Sequence, residues 1–267
     1  MRFSTRLKLS IVLLILGSLG IYPSGLWSQE IPDNNYLEMS VLYHQQASEY
    51  RALCYQAFNI AEYRLGEILG RTSGPDSLAV VVDIDETVLD NSPYEAELIL
   101  ENIDYPKRWM EWIDQAAATP IPGALNFLNF ADSSGVQVFY VSNRKVDGFA
   151  GTMENLKKMN FPQVSEDHIL LRTDESSKES RRNHIERGYH IALLIGDNLN
   201  DFSDVFERRS SQDRNTAVDL LQEKFSYRFI ILPNAMYGEW EGAIYDYNWS
   251  LTDAQKDSAR KEALRGF

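Results

Sequence analysis

Residues 78–89, Leu-Ala-Val-Val-Val-Asp-Ile-Asp-Glu-Thr-Val-Leu, constrain this chain more than any other stretch. The apolar run 79–82 reads as a strand buried on both faces, as in the middle of a parallel sheet. It gives out into Asp83 and Asp85, two carboxylates two residues apart. Residues i and i+2 of a strand point to the same side, and open α/β sheets bind ligands at the carboxyl ends of their strands. Taken alone, Asp-x-Asp is either a polar strand exit or a reacting pair.

The remaining pattern supplies a sheet around that strand. Apolar runs at 136–141, 168–171, 191–195 and 229–232 read as further strands. Helical periodicity over 123–132, 151–159 and 176–187 alternates with them. Strands alternating with helices predict a mostly parallel, doubly wound α/β sheet. Outside it, 34–71 is helical, as one long helix or two, and Gly74-Pro75 breaks the chain after it. The connection 90–122 is too long for a plain loop. It holds a short helix near 95–101, and Trp109 and Trp112 on one helical face, and it reads as an insert over the strand end. The expected organisation is a core over 78–234 with a helical add-on. The add-on would be built from 29–77, the insert, and a C-terminal segment 235–267 that ends in a solvated helix over 252–264.

The first residues differ in kind. Arg2, Arg6 and Lys8 precede the uncharged apolar run 9–22, and Pro23, Ser24, Gly25 and Ser28 follow. That layout predicts a signal peptide over 1–28, cleaved near Ser28, and an exported, periplasmic or secreted protein. The run falls short of the ~20 residues that span a bilayer, so no stable membrane anchor is expected, with retention of the segment as the alternative.

The whole chain carries 26 basic and 39 acidic residues, a net charge of −13. Residues 1–28 hold no acid, so the remainder is more acidic still. Such a surface repels nucleic-acid polymers and anionic membranes, while a small phosphorylated molecule is admitted where a metal and a few cations sit locally. Cys54 is the only cysteine, which leaves no disulfide within the chain.

Three strands end in polar clusters: Asp83/Asp85, Ser142/Asn143 and Asp197/Asp201. Lys178 starts the helix between the last two. Together these parts suit phosphoryl transfer. A carboxylate can attack phosphorus, and oxygen ligands suit Mg²⁺. A hydroxyl, an amide and an ammonium can hold phosphate oxygens, and a second carboxyl can move the protons. His44, His168, His184 and His190 are scattered outside these clusters, and they read as structural or surface residues.

DIDET at 83–87, SNR at 142–144, Lys178 and GDNLND at 196–201 resemble the haloacid dehalogenase superfamily. Ser48 to Leu53, Phe139 to Arg144 and Leu232 to Trp240 narrow the resemblance to its class C acid phosphatases, the family of the bacterial lipoprotein 5′-nucleotidases. The resemblance covers nearly the whole chain after the export signal. It implies Asp83 as nucleophile and Asp85 as general acid/base. Mg²⁺ would be bound by Asp83, Asp85 (through its carbonyl), Asp197 and Asp201. Phosphate would meet Ser142, Asn143 and Lys178. Tyr237 is placed where an aromatic stacks on substrate, with Trp109 behind it, while Trp112 reads as core packing. Thr87 is expected to hydrogen-bond within its own turn and aim Asp85. The lipid-attachment cysteine of the lipoprotein members is absent from this chain.

The expectation is therefore a Mg²⁺-dependent phosphomonoesterase that favours nucleoside 5′-monophosphates, possible as a homodimer. One alternative is a small-metabolite phosphatase for sugar or aryl phosphates. Another is a non-catalytic exported protein that binds nucleotide or haem.

Overall fold

The computed structural model describes residues 34–71, 74 and 77–267, and the expected export signal lies outside them. Strand β1 (Leu78–Val82) is buried along its whole length. It sits at the centre of a five-stranded parallel sheet with β4 (Gln137–Lys145) and β6 (His190–Gly196) on either side. The outer positions belong to β5 (Ile169–Arg172) and β7 (Phe229–Ile231). Val82 lies opposite Tyr140 of β4 and Ile195 of β6, so the residues that follow these three positions gather at one edge of the sheet. The strand order reverses at β1, which makes that end the switch-point crevice of an open α/β sheet.

The period of two in β1 assigns its side chains to two cores. Leu78, Val80 and Val82 join a cluster with Phe58 and Leu65 of α2 (Ser48–Leu69) and Phe127 and Leu128 of α5 (Ala124–Ser133). Leu156 of α6 (Phe149–Lys158) completes that side. Ala79 and Val81 face the other layer, with Phe139, Phe202, Phe206 and Ile185 of α7 (Glu179–Ile185). Helices thus cover both faces, as the alternating pattern predicts. A tilted contact between the rings of Phe58 and Phe127, with centroids 5.9 Å apart, ties α2 to α5.

The region 34–71 resolves as two helices, α1 (Glu38–Gln46) and α2, broken at Ala47, whose ψ of 123° is extended. The insert leaves and returns through a two-stranded antiparallel ladder of β2 (Leu89–Asp90) and β3 (Thr119–Pro120). Between them lie α3 (Ser92–Glu101) and α4 (Trp109–Gln115). Trp112 packs against the first core and donates Nε1–H to Asn91 Oδ1 at 2.8 Å. Three further helices follow β6: α8 (Ser211–Leu220), α9 (Glu239–Ile244) and α10 (Asp253–Ala263). The first two are not among the helices expected from the sequence. α8 is polar and buries only Arg214, so it shows no apolar stripe to read. α10 buries no residue, as a solvated helix should. Among the described residues no helix is long and apolar enough to cross a membrane.

Glu95 of α3 and Glu241 of α9 are both buried. Burial first, then the charges of Glu241 and Asp85, push Glu95 from 4.5 up to about 7. The folded chain thus holds a proton that the unfolded chain releases at lower pH. The resulting stability is intact below the unfolded value and declines as pH rises toward about 7. Glu95→Gln removes that loss. The difference in Tm, variant minus parent, is expected to be more positive at about pH 8 than at about pH 5. An equal difference at both would contradict the assignment.

Candidate active site

Beyond Val82 the backbone stays tied to the sheet for one more residue, because Asp83 N–H donates to Ile195 O at 2.9 Å. It then closes a tight turn. Val88 N and Leu89 N both donate to Ile84 O, at 3.0 and 2.9 Å, and Glu86 N donates to Leu89 O at 2.9 Å. Glu86 takes a left-handed φ of 55° to make this possible. The turn sends its side chains in separate directions. Asp83 points into a cluster with Asp197 and Asp201, in which one carboxylate oxygen of each residue lies within 4.8 Å of the others. Thr87 Oγ1 donates to Asp197 Oδ1 at 3.2 Å. The expected bond within its own turn is therefore corrected: Thr87 braces the third strand end, not Asp85.

Asp85 has its own set of donors. Its Oδ1 accepts from Asn91 Nδ2 at 2.7 Å and Arg144 Nε at 2.9 Å, with Arg144 Nη2 at 2.8 Å. Its Oδ2 accepts from Ser142 Oγ at 3.3 Å. Arg144 is itself buried and fixed by Thr152 Oγ1 and Asn91 Oδ1. Two carboxylates of the same turn thus occupy different electrostatic settings.

In the cluster, Lys178 Nζ donates to Asp83 Oδ1 at 2.5 Å and Asp201 Oδ1 at 2.6 Å. Lys178 is buried at the start of α7. Burial pulls its ammonium down, and Asp201 and Asp83 outweigh that, leaving it above its ordinary value. Burial pushes Asp83 well above the usual carboxylate range; Lys178 opposes the shift, while Asp201, Asp197 and Asp85 add to it. Burial and then Asp201 carry Asp197 up to about 7, against the hydrogen bond from Asn234. Asn234 Nδ2 makes that bond at 2.8 Å.

Asp201 is held by the short turn after β6. Its Oδ2 accepts from Asn198 N at 2.9 Å, while the Asn198 side chain accepts from Asn200 N. Gly196 allows this fold-back, since a Cβ there would fall 2.2 Å from Asp201 Oδ2. Arg182 fixes the same turn from α7, donating to Asn200 O at 3.1 Å and Asp201 O at 2.9 Å.

Of the residues singled out from sequence, Asp83, Asp197, Asp201 and Lys178 meet in one cluster, and Asp85 and Ser142 meet beside it. β4 runs on to Lys145 instead of ending at Val141, so its alternation continues through the polar residues. Ser142 and Arg144 are buried on the side of Asp85, and Asn143 is exposed. Asn143 Oδ1 accepts from Arg181 Nη2 at 2.7 Å, and its side chain is not part of the cluster. Trp109 faces Arg144, whose guanidinium carbon lies 5.4 Å from the ring centroid, and Tyr94 meets its ring edge-on. Tyr237 is half-buried beside Leu37, Val41 and Met236, three residues beyond Asn234. Sequence reasoning assigned no role to Arg144, Asn91, Arg181 or Asn234. Carrying the period of two past Val141 would have found Arg144.

The cluster fits a hard divalent cation. Its donors are oxygens only, and three carboxylates face a single hydrogen-bonded ammonium. Burial first, and then the neighbouring carboxylates, raise Asp83 and Asp197, and a cation there would relieve both.

The sequence profile described as "HAD superfamily, subfamily IIIB (Acid phosphatase)" matches residues 28–240. The class C acid phosphatase from Bacillus anthracis is 41% identical and superimposes with a TM-score of 0.85, over 88% of this chain and 98% of that one. Its tungstate-bound form superimposes with a TM-score of 0.84. The Stem 31 kDa glycoprotein of Glycine max is 30% identical over 45% of this chain and 50% of its own length. Acid phosphatase 1 of Solanum lycopersicum is 26% identical over 59% of this chain and 57% of its own. The match to these curated relatives thus spans little more than half their length. Profile, fold and strand-end motifs agree, and the chain belongs to the class C acid phosphatase family of the haloacid dehalogenase superfamily, a family of phosphoric monoester hydrolases.

Proposed function

We propose that the chain is an exported, Mg²⁺-dependent acid phosphatase that hydrolyses phosphomonoesters through a phosphoryl group carried on Asp83. The observation that carries this reading is the division of labour in one turn: Asp83 lies in the carboxylate cluster with Lys178, and Asp85 lies outside it under Arg144, Asn91 and Ser142. Tungstate, bound by the Bacillus relative, is a tetrahedral oxyanion with the shape of phosphate.

An Asp83 carboxylate oxygen attacks phosphorus and the ester P–O bond breaks. The leaving alkoxide takes a proton from Asp85. Oδ2 is the oxygen placed to hand it over, because Oδ1 is already engaged by Arg144 and Asn91. Asp85, now ionised, takes a proton from water, which attacks the phosphoryl group and frees Asp83. Lys178 and Ser142 bind the phosphoryl oxygens. Asp83, Asp197 and Asp201 would hold the cation, with the Asp85 carbonyl as the resemblance implies, and the cation offsets repulsion between the anionic nucleophile and phosphate. Chelation by EDTA is expected to abolish turnover of a chromogenic phosphate ester, with recovery on adding Mg²⁺. Full activity after chelation would contradict the metal requirement.

Nucleoside 5′-monophosphates are the favoured substrates, and the aromatic residues support this choice. Trp109 of the insert faces Arg144, which holds Asp85, and Tyr237 lies three residues beyond Asn234, which holds Asp197. Base stacking contributes ~1–3 kcal/mol per base. Tyr237→Ala is therefore expected to lower kcat/KM for nucleoside monophosphates by about 10-fold or more, and to leave a sugar phosphate unaffected. Equal losses on both would favour a phosphatase without nucleotide preference. Export rests on residues 1–28, and N-terminal sequencing of protein recovered from outside the cytoplasm tests it. A homodimer rests on the family resemblance, and light scattering tests it.

A further inference from the structure

A second cluster of ligand-type side chains lies on the other side of the same turn. His44 of α1, Glu86 of the turn and Asp90 of β2 place a ring nitrogen and two carboxylate oxygens within 4.8 Å of one another. The phosphatase reading uses none of these side chains. Glu86 is fully buried and His44 is 6% exposed. Asp90 is partly open, with a quarter of its side chain accessible, which leaves a path from solvent.

The imidazole is the informative member. His44 Nε2 is buried and has no hydrogen-bond partner of acceptable geometry, although Asp90 Oδ1 lies 3.3 Å away. A well-formed N–H···O⁻ contact is shorter, about 2.7–2.9 Å. The edge of a tetrahedron around an ion with bonds of ~2.0–2.1 Å is about 3.3–3.4 Å. The separation therefore fits two ligands that flank a metal better than a donor and its acceptor. The Tyr50 hydroxyl is also buried without a partner, and its ring lies against that of His44, with centroids 3.9 Å apart.

The two carboxylates are already oriented from outside. Asp90 Oδ1 accepts from Ser92 N at 2.8 Å, and Glu86 Oε1 accepts from Asn91 N at 2.7 Å. Such outer hydrogen bonds aim metal ligands. We infer that His44, Glu86 and Asp90 form a second metal site, for a divalent transition ion of the Zn²⁺ class. The nitrogen donor separates it chemically from the all-oxygen cluster at Asp83, Asp197 and Asp201. An ion there ties α1 to the turn that carries Asp83 and Asp85. Asn91 joins the two sites, giving its N–H to Glu86 and its Nδ2 to Asp85.

The test is equilibrium dialysis of the chelator-stripped full chain against Zn²⁺ in a large excess of Mg²⁺. A parallel Co²⁺ titration reads the visible bands of a low-coordinate nitrogen-containing site. One retained Zn²⁺ per chain is expected. His44→Gln is expected to weaken it by more than about 100-fold, beyond what outer-shell partners alone cost, and to remove the Co²⁺ bands. Mg²⁺-supported turnover by this variant should persist. Asp90→Asn should weaken the ion likewise, and gives a second reading if His44→Gln does not fold. Asp197→Asn should leave this Zn²⁺ in place. Two results would overturn the inference: no Zn²⁺ retained in Mg²⁺ excess, which makes the cluster an imidazolium–carboxylate pair, or Zn²⁺ lost in Asp197→Asn and kept in His44→Gln.

Discussion

Asp83→Asn is expected to fold and to lose turnover of a phosphomonoester by roughly 10⁴- to 10⁶-fold, the range seen when one member of a catalytic triad is removed. Asn keeps the shape of Asp and can still accept from Lys178. It removes one of three carboxylates crowded within 4.8 Å, a charge that burial already disfavours. Thermal stability without metal should therefore be unchanged or higher near neutral pH. The loss of activity would then belong to the chemistry and not to unfolding. A folded Asp83→Asn protein with full turnover would remove the basis of the proposed reaction.

Lys178→Met is expected to damage both activity and stability. The ammonium is buried between Asp83 and Asp201 at 2.5 and 2.6 Å. Removing one partner of a buried ion pair costs about 3–5 kcal/mol, because the remaining charges stay buried without compensation. Removing one preorganised donor to transition-state oxygens lowers kcat by ~10²- to 10³-fold. The two effects separate experimentally. Mg²⁺ in excess should restore much of the lost Tm by neutralising Asp83 and Asp201, while kcat stays low. If Mg²⁺ restores both together, Lys178 serves only to balance charge, and its place at the phosphoryl oxygens is wrong.

The sheet was legible because its strands are apolar runs that end in chemistry-bearing residues, and β1 is buried on both faces. Asp83, Asp197 and Asp201 were legible for the same reason: a strand end is a local feature that repeats at a common edge. The surroundings of Asp85 were harder to read. Arg144 lies in a polar stretch that looks like a loop, and the pairing of Lys145 with Arg172 of β5 shows that the strand continues through it. Thr87 was given a local partner, while its actual partner, Asp197, is 110 residues away. His44 carries no local signal at all. It meets Asp90 because Ala47 breaks the helical run and α1 packs on α3. The proximity of Glu95 and Glu241 likewise depends on two helices distant in sequence.

The central claim is that Asp83 carries the phosphoryl group while Asp85 only moves protons. It is tested most directly by rapid quench of Mg²⁺-loaded Asp85→Asn with an aryl phosphate, followed by peptide mapping. An aryl leaving group departs without help from an acid, whereas release of the phosphoryl group by water still needs the base. The phosphoryl group should therefore accumulate, close to one per chain, on the peptide containing Asp83, with a matching burst of the aryl alcohol. Phosphoryl found on another residue, or steady release of the alcohol with no burst and no modified Asp83, would contradict the account.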